Sequence, residues 1–204
     1  MNGAPWDQRL ARILVQPLAR WPAIEPNHIT TLSLLLAIGA GGFYATGSAH
    51  AANWAAALFV LSRFIDHADG ELARLTGKTS RFGYYYDYVV GALSSVALFV
   101  GLGVGLRGTM LGGWAIVIGV AAGIAALVAM ALGFGVDAQG DGEAGGYPGL
   151  GGFELEDGIY LVAPITWAGA LIPFLIGASL GQIVFCLWML ARFLRRADRA
   201  PEHA

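Results

Sequence analysis

Charged residues are scarce in this chain. Only 13% of its 204 residues are Asp, Glu, Lys or Arg, whereas soluble domains carry about 25%. The formal net charge of −2 says little about partners, and the distribution of charge along the chain says more. No nucleic-acid partner is expected. The single cysteine, Cys186, excludes an internal disulfide and a paired redox site. No repeat of fixed period and no sign of a second domain occur, so residues 1–204 are expected to form a single domain.

Apolar residues dominate instead. They make up 56% of the chain, with a mean hydropathy of +0.62. A soluble all-α protein with buried helices is the alternative, but several apolar runs reach the length of about 20 residues that crosses a bilayer. The sequence therefore predicts an all-α integral membrane protein. Its six transmembrane helices are expected within residues 29–194, at about 29–46, 54–75, 82–106, 110–134, 159–176 and 180–194.

The fifth span and the segment before the first span have further sequence features that predict structure. Pro164 and Pro173 are expected to kink the fifth span. Before the first span, apolar residues recur at helical spacing with arginines between them, which predicts an amphipathic helix over residues 5–20 on the membrane surface. A frayed polar tail is the alternative for that segment, which lacks the uninterrupted apolar core of a signal peptide.

Basic residues indicate how the chain is oriented. They form three clusters, and six spans place all three on one face, with only Arg107 on the other. The positive-inside rule then predicts that both termini and the site described below are cytoplasmic. The clusters are Arg9, Arg12 and Arg20; Arg74, Lys78 and Arg81; and Arg192, Arg195, Arg196 and Arg199.

The segment over residues 135–158 is rich in glycine and acids and has no Lys or Arg. It predicts a flexible loop, although its last part, residues 153–157, is less loop-like and is expected near the site. A calcium loop from Asp137, Asp141 and Glu143 is an alternative, but the spacing of an EF-hand is absent.

Acidic residues in the second and third spans are the main exception to the apolar pattern. Asp66 and Asp69 lie three residues apart, and a short turn brings Asp87 of the next helix toward them. Ionised carboxylates in such a poorly hydrated place require positive partners. Arg63 and Arg74 could pair with one or two of them, whereas a divalent cation would satisfy all three. Oxygen ligands favour Mg²⁺ or Mn²⁺. Proteins commonly use these ions to bind the phosphate groups of a substrate, so such a site suggests a phosphorylated substrate.

The stretch from Asp66 to Gly91 resembles the motif of the integral-membrane CDP-alcohol phosphotransferase family, D-x2-D-G-x2-A-R-x8-G-x3-D-x3-D. The earlier "EPNHITTLS", with Pro26, Asn27 and Thr30, also resembles the start of that family's first helix. The positions that match the motif in type and spacing are Asp66, Asp69, Gly70, Ala73, Arg74, Gly83 and Asp87.

The resemblance implies transfer of a substituted phosphoryl group from a CDP-linked donor to an alcohol, with release of CMP, in phospholipid synthesis. At least one substrate would be a lipid, and the chain could pair as a homodimer. Asp66, Asp69 and Asp87 would bind the metal. The nucleotide would be bound by these acids with Gly70, Ala73, Arg74, Gly83, Asn27 and Thr30.

One motif position departs from the family. Its last aspartate, the usual general base, is replaced by Gly91. In one account another group substitutes, with His67, Glu71 or a residue of "FELEDG" as candidates; in a second, the acceptor ionises without a protein base. In a third, the chain is an impaired or inactive member that binds metal and CDP-nucleotide and turns over slowly or not at all. A cation transporter is a separate alternative, but the acids cluster at one helix pair and do not extend across the membrane.

Overall fold

The computed structural model describes residues 12–13, 15–21, 23–138, 149–150, 153–154 and 160–197. Helices dominate the described part, in agreement with the predicted all-α class. A small antiparallel pair, in which Gly149 is opposite Glu154, lies in the predicted loop. In chain order the elements are α1 (Pro26–Ala45), α2 (Ala49–Thr76), α3 (Arg81–Gly105), α4 (Trp114–Ala138), β1 (Gly149–Leu150), β2 (Phe153–Glu154), α5 (Val162–Trp167) and α6 (Leu171–Ala197).

Local sequence explains where α2 and α3 begin and end. The Ser48 and Ser80 side chains accept hydrogen bonds from backbone N–H groups in the first turns of α2 and α3, which is the usual role of serine before a helix. α2 stops at Gly77, whose φ of 67° is the left-handed conformation that ends many helices. The two helices are therefore joined by a tight turn and run in opposite directions.

α1 is the central element of the described bundle, because it packs along both α2 and α3. Its backbone touches that of α3: a Cβ on Gly41 would lie 2.4 Å from the carbonyl oxygen of Ala97. α3 also packs on α4, α4 on α6, and α5 on α2. α2 and α3 make few contacts with each other, so α1 rather than the turn sets their spacing.

Hydrogen bonds show which helix ends lie together. Tyr84 Oη, near the start of α3, donates to Asp137 at the end of α4 over 2.7 Å. Arg196, near the end of α6, donates to the carbonyl oxygen of Val136 over 3.0 Å. The start of α3 and the ends of α2, α4 and α6 therefore share one end of the bundle, called here the site end. At the opposite end, the Tyr44 and Thr166 hydroxyls are hydrogen-bonded across 2.9 Å.

The prediction of six transmembrane helices is not confirmed. Four described helices are long and apolar enough to cross a membrane, namely Pro26–Ala45, Arg81–Gly108, Trp114–Asp137 and Leu171–Arg196. α2 is long enough but carries many charged residues. The predicted fifth span, 159–176, does not form one kinked helix: the chain breaks at Gly169, which has φ 71°. Pro164 and Pro173 lie in the first turns of α5 and α6, where a missing N–H costs no helical hydrogen bond.

The predicted surface helix over residues 5–20 falls partly outside the described residues. Of the part that is described, residues 12, 13 and 15 are helical and Leu18–Arg20 form a single 3-10 turn. Val15 is buried in a small cluster with Ala68 and Leu72 of α2, whereas Ile13 is 65% exposed. This contact fixes the segment against the site end of α2.

Candidate metal centre

Three carboxylates converge at the site end of the bundle. Asp66 and Asp69 of α2 and Asp87 of α3 each offer an oxygen, and these oxygens all lie within 4.8 Å of one another. Asp66 and Asp69 are buried, 8% and 5% exposed, whereas Asp87 is exposed. The convergence expected from the spacing of the three acids is thus present, and one member of the group faces the solvent, where a substrate can approach.

α1 positions the two buried acids. Thr30 Oγ1 donates a hydrogen bond to Asp69 Oδ2, and Ser33 Oγ donates to Asp66 Oδ1 over 2.9 Å. The threonine and the serine lie three residues apart on α1, as the aspartates do on the antiparallel α2. Thr30 therefore faces Asp69, and Ser33, one turn later, faces Asp66. Thr30 and Ser33 are themselves 3% and 0% exposed. Each carboxylate is therefore held in one orientation by a buried hydroxyl.

The arginines near the acids have different partners. Arg63 pairs with Asp66, with 2.7 Å between Nη2 and Oδ2. Arg74 is bonded to Glu71, and its Nη2 lies 2.6 Å from Oε1. The pair of Arg74 and Glu71 has no net charge and adds nothing to the charge of the site. The three aspartates and Arg63 then leave a formal charge of about −2, which a divalent cation would neutralise.

The donor set fits a hard cation. All three candidate ligands are carboxylate oxygens, which Mg²⁺ and Mn²⁺ prefer over the nitrogen and sulfur ligands typical of zinc. The hydrogen bonds from Thr30 and Ser33 are of the kind that hold a metal-binding carboxylate in its orientation without contact with the metal. Mg²⁺ seldom takes a full set of protein ligands, so a site with three carboxylates leaves positions for water and phosphate oxygens.

The other motif residues surround this group. A Cβ on Gly83 would lie 3.3 Å from Asn27 Oδ1, so the starts of α1 and α3 meet there. A Cβ on Gly70 would lie 3.6 Å from the nearest Arg74 nitrogens, which places that guanidinium over Gly70. Ala73 is half-buried one turn further along α2. A cavity of about 360 Å³ next to Asn27 is lined by Glu25, Pro26, Asn27, Lys78 and Ser80.

The position of the missing motif acid is open. A Cβ on Gly91 would have no atom within 4 Å, so a larger side chain has room there. Of the substitutes considered from the sequence, Glu71 is bonded to Arg74, and His67 Nδ1 lies 3.0 Å from the Tyr160 hydroxyl. Phe153 and Glu154 of "FELEDG" form β2; the rest of that segment, and the calcium-loop candidates Asp141 and Glu143, fall outside the described residues.

Ser33 is the contributor that sequence reasoning missed. The weaker motif match had singled out Thr30, but not the serine one turn later. Both are hydroxyl residues in the first half of α1, three residues apart like Asp66 and Asp69. That matched spacing was the available signal. It could be interpreted only once α1 was known to pack on α2.

Comparisons with known proteins agree with this site. Residues 23–191 match the family model described as CDP-alcohol phosphatidyltransferase. Archaetidylinositol phosphate synthase from Methanothermobacter thermautotrophicus is 33% identical over 94 residues, which are 46% of this chain and 47% of that protein. A putative cardiolipin synthase from Mycobacterium tuberculosis is 37% identical over 82 residues, covering 38% of this chain and 39% of that protein. The matches thus span less than half of these curated relatives.

Solved structures show the same fold over nearly the whole chain. Phosphatidylinositol phosphate synthase from Mycobacterium tuberculosis, solved with CDP-DAG bound, superposes with a TM-score of 0.61 at 19% identity. The match covers 95% of this chain and 92% of that one. The same protein in complex with manganese and citrate gives a TM-score of 0.62, also at 19% identity, over 94% of this chain and 87% of that one. The apolar helices and these membrane-protein relatives identify an integral membrane protein.

Proposed function

The chain belongs to the CDP-alcohol phosphatidyltransferase family, and from this premise we propose that it transfers a substituted phosphoryl group from a CDP-linked donor to an alcohol. The acceptor oxygen would form a bond to phosphorus, the bond between that phosphorus and CMP would break, and the hydroxyl proton would be lost. The observation that carries the proposal is the group of three carboxylate oxygens that lie within 4.8 Å of one another at the site end. Buried hydroxyls hold two of these acids, Asp66 and Asp69.

In this proposal Asp66, Asp69 and Asp87 hold Mg²⁺ or Mn²⁺. When bound, such an ion neutralises phosphate charge and fixes the donor's geometry. The chain's own task is to place and bind the groups around it. Thr30 and Ser33 keep the buried acids in one orientation, and the nucleotide contacts are assigned to Asn27, Thr30, Gly70, Ala73, Arg74 and Gly83 together with the three acids.

The relatives support a lipid donor. The Mycobacterium tuberculosis enzyme of the same fold was solved with CDP-DAG bound, and the curated relatives are named for the synthesis of membrane lipids. We therefore assign the lipid to the donor and a water-soluble alcohol to the acceptor, in phospholipid synthesis. We also propose that the termini and the site face the cytoplasm, as the basic residues indicate, and that the chain forms a homodimer.

Gly91 bears on the rate rather than on the class of reaction. Phosphoryl transfer depends mainly on positioning and charge neutralisation, and the residues for both are present. A general base typically contributes about 10²–10⁴-fold in rate. We propose an active transferase whose acceptor loses its proton without an acid at position 91, with His67 and Glu71 as the candidate titratable side chains.

A release assay tests this function. Purified protein in detergent receives CDP-diacylglycerol, Mn²⁺ or Mg²⁺ and a panel of alcohols, and CMP is measured. We expect metal-dependent CMP release with at least one alcohol, abolished by EDTA and by Asp69→Ala. Metal-dependent donor binding without any release would favour the impaired member that only binds nucleotide. Release that continues in Asp69→Ala would refute the role of the acids.

A further inference from the structure

A second cavity lies at the end of the bundle opposite the site, where Tyr44 and Thr166 are part of its wall. Its volume is about 410 Å³, which is within the range of pockets that bind small molecules and cofactors. Three segments of the described chain line it: residues 44–53 at the turn from α1 to α2, 102–109 at the end of α3, and 166–172 at the turn from α5 to α6. We call it the distal cavity; the proposed transfer reaction uses none of its residues.

The distal cavity has both apolar and polar walls and opens to the surface. Among its lining residues, Leu102, Leu171 and Ile172 are apolar, whereas Asn53 and Thr109 are polar. Leu102 is buried, but Asn53 and Thr109 are exposed, so the apolar part lies deeper than the polar part. An amphipathic ligand matches this arrangement, with its apolar part inserted between the helices and its polar part at the rim.

Tryptophans indicate that the distal cavity lies at a membrane–water interface. Trp54 near the start of α2, Trp114 at the start of α4 and Trp167 at the end of α5 are 59%, 71% and 63% exposed. All three lie toward the end opposite the site, and tryptophan is enriched where a membrane-spanning protein passes from lipid into water. Trp167 also lines the cavity. The cavity is therefore at the level of the lipid headgroups in the leaflet opposite the site.

The charge beside the distal cavity is positive. Within the three lining segments, Arg107 is the only Asp, Glu, Lys or Arg, and Leu106 before it lines the cavity. Arg107 Nη1 donates to the carbonyl oxygens of Val104 and Ala45 over 2.6 and 3.4 Å, which holds the guanidinium across the ends of α1 and α3. Neither of these bonds uses Nε or Nη2, whose N–H groups have the geometry that suits a phosphate.

We propose that the distal cavity binds an anionic phospholipid from the leaflet opposite the site, with the lipid phosphate on Arg107 and an acyl chain between the helices beside Leu102 and Leu171. A basic residue at the membrane surface attracts anionic headgroups, and no acid in the lining segments opposes it. Burial of the acyl chain adds an apolar contribution to the affinity. A zwitterionic lipid also carries a cation, which Arg107 repels. This site is separate from the metal centre and does not depend on the proposed transfer reaction.

Native mass spectrometry of the purified protein tests this binding. Phosphatidylglycerol, which is anionic, or phosphatidylcholine, which is zwitterionic, is titrated in a neutral detergent with EDTA present, so that the metal centre holds no phosphate. We expect one phosphatidylglycerol to be bound more tightly than phosphatidylcholine. Arg107→Gln should weaken phosphatidylglycerol binding about tenfold, the value of one charged hydrogen bond. Arg195→Gln is the matched control, because it removes an exposed cation at the site end, and it should leave the affinity unchanged.

A second variant tests the cavity itself. Ala49 lines it and is exposed, so Ala49→Trp should obstruct the opening and weaken phosphatidylglycerol binding without lowering the melting temperature. If that variant does not fold, Arg107→Gln decides alone. Equal binding of the two lipids would overturn the inference, as would equal affinities of the wild type and Arg107→Gln, an equal loss in Arg195→Gln, or an unchanged affinity in folded Ala49→Trp. Glycerol 3-phosphate, which has the phosphate but no acyl chain, should not displace the lipid, and displacement would refute a lipid site.

Discussion

At the scale of single residues, the hydroxyls of α1 matter as much as the acids they hold. Thr30 donates to Asp69, whereas the neighbouring Thr31 bonds to the Tyr86 hydroxyl at 2.8 Å, away from the three acids. We expect Thr30→Val to weaken Mn²⁺ binding about 10–100-fold, as the loss of a hydrogen bond that orients a metal ligand does. Thr31→Val is the control and should bind Mn²⁺ like the wild type. Equal affinities for the two variants, measured by calorimetry, would count against this role.

Position 91 gives a second prediction at this scale. The open space beside Gly91 accepts a carboxylate without a steric clash, and the motif places the general base there. Gly91→Asp should therefore raise the rate of CMP release, by about 10²-fold if proton transfer limits turnover. Gly91→Asn has the same shape without the charge and should give no increase. A fall in rate with both variants would mean that the acceptor occupies this space.

The residues of the site were predictable where a motif or a spacing marked them. Asp66, Asp69 and Asp87 were placed together correctly, because helical periodicity and one short turn are sufficient for that. The pairing of Arg74 with Glu71 was missed, although the two residues lie three positions apart on the same helix and the same periodicity makes them neighbours. Ser33 was missed because its role depends on how α1 packs against α2.

At the scale of helices, a glycine without a side chain allows the backbones of α1 and α3 to contact each other. A Cβ on Gly41 would meet the Ala97 carbonyl oxygen at 2.4 Å, whereas one on the adjacent Gly42 would meet nothing within 4 Å. Gly41→Ala should therefore destabilise the protein by about 1–3 kcal/mol, the usual cost of overpacking. Gly42→Ala should change stability by less than about 0.5 kcal/mol. Thermal unfolding in detergent measures both, and equal melting temperatures would refute the close contact.

The helices themselves show where sequence reasoning ended. Apolar runs located α1, α2, α3 and α4 to within several residues. The predicted boundaries of the helices after α4 were wrong, because hydropathy alone cannot show that the helix is interrupted at Gly169. Prolines at 164 and 173 were interpreted as kinks although each lies near the start of a helix. Apolar content is the same for one kinked helix and for two helices with a break between them.

At the scale of the whole molecule, the account makes a prediction about orientation. The turn at Lys78 lies at the site end and Thr109 lies at the opposite end, and both residues are exposed. In a Cys186→Ala background, Lys78→Cys should react with a membrane-impermeant maleimide only after cells are opened. Thr109→Cys should react in intact cells. The reverse pattern would place the site on the outer face.

The central claim is that three carboxylates from α2 and α3 bind one divalent cation. The most direct test titrates Mn²⁺ into the purified protein and follows the free ion by electron paramagnetic resonance. We predict saturable binding that weakens by about 100-fold or more in Asp69→Asn. Asp137→Asn, which alters an acid bonded to Tyr84 outside the group, should leave the affinity unchanged. Mn²⁺ binding of equal strength in the wild type and Asp69→Asn would contradict the account.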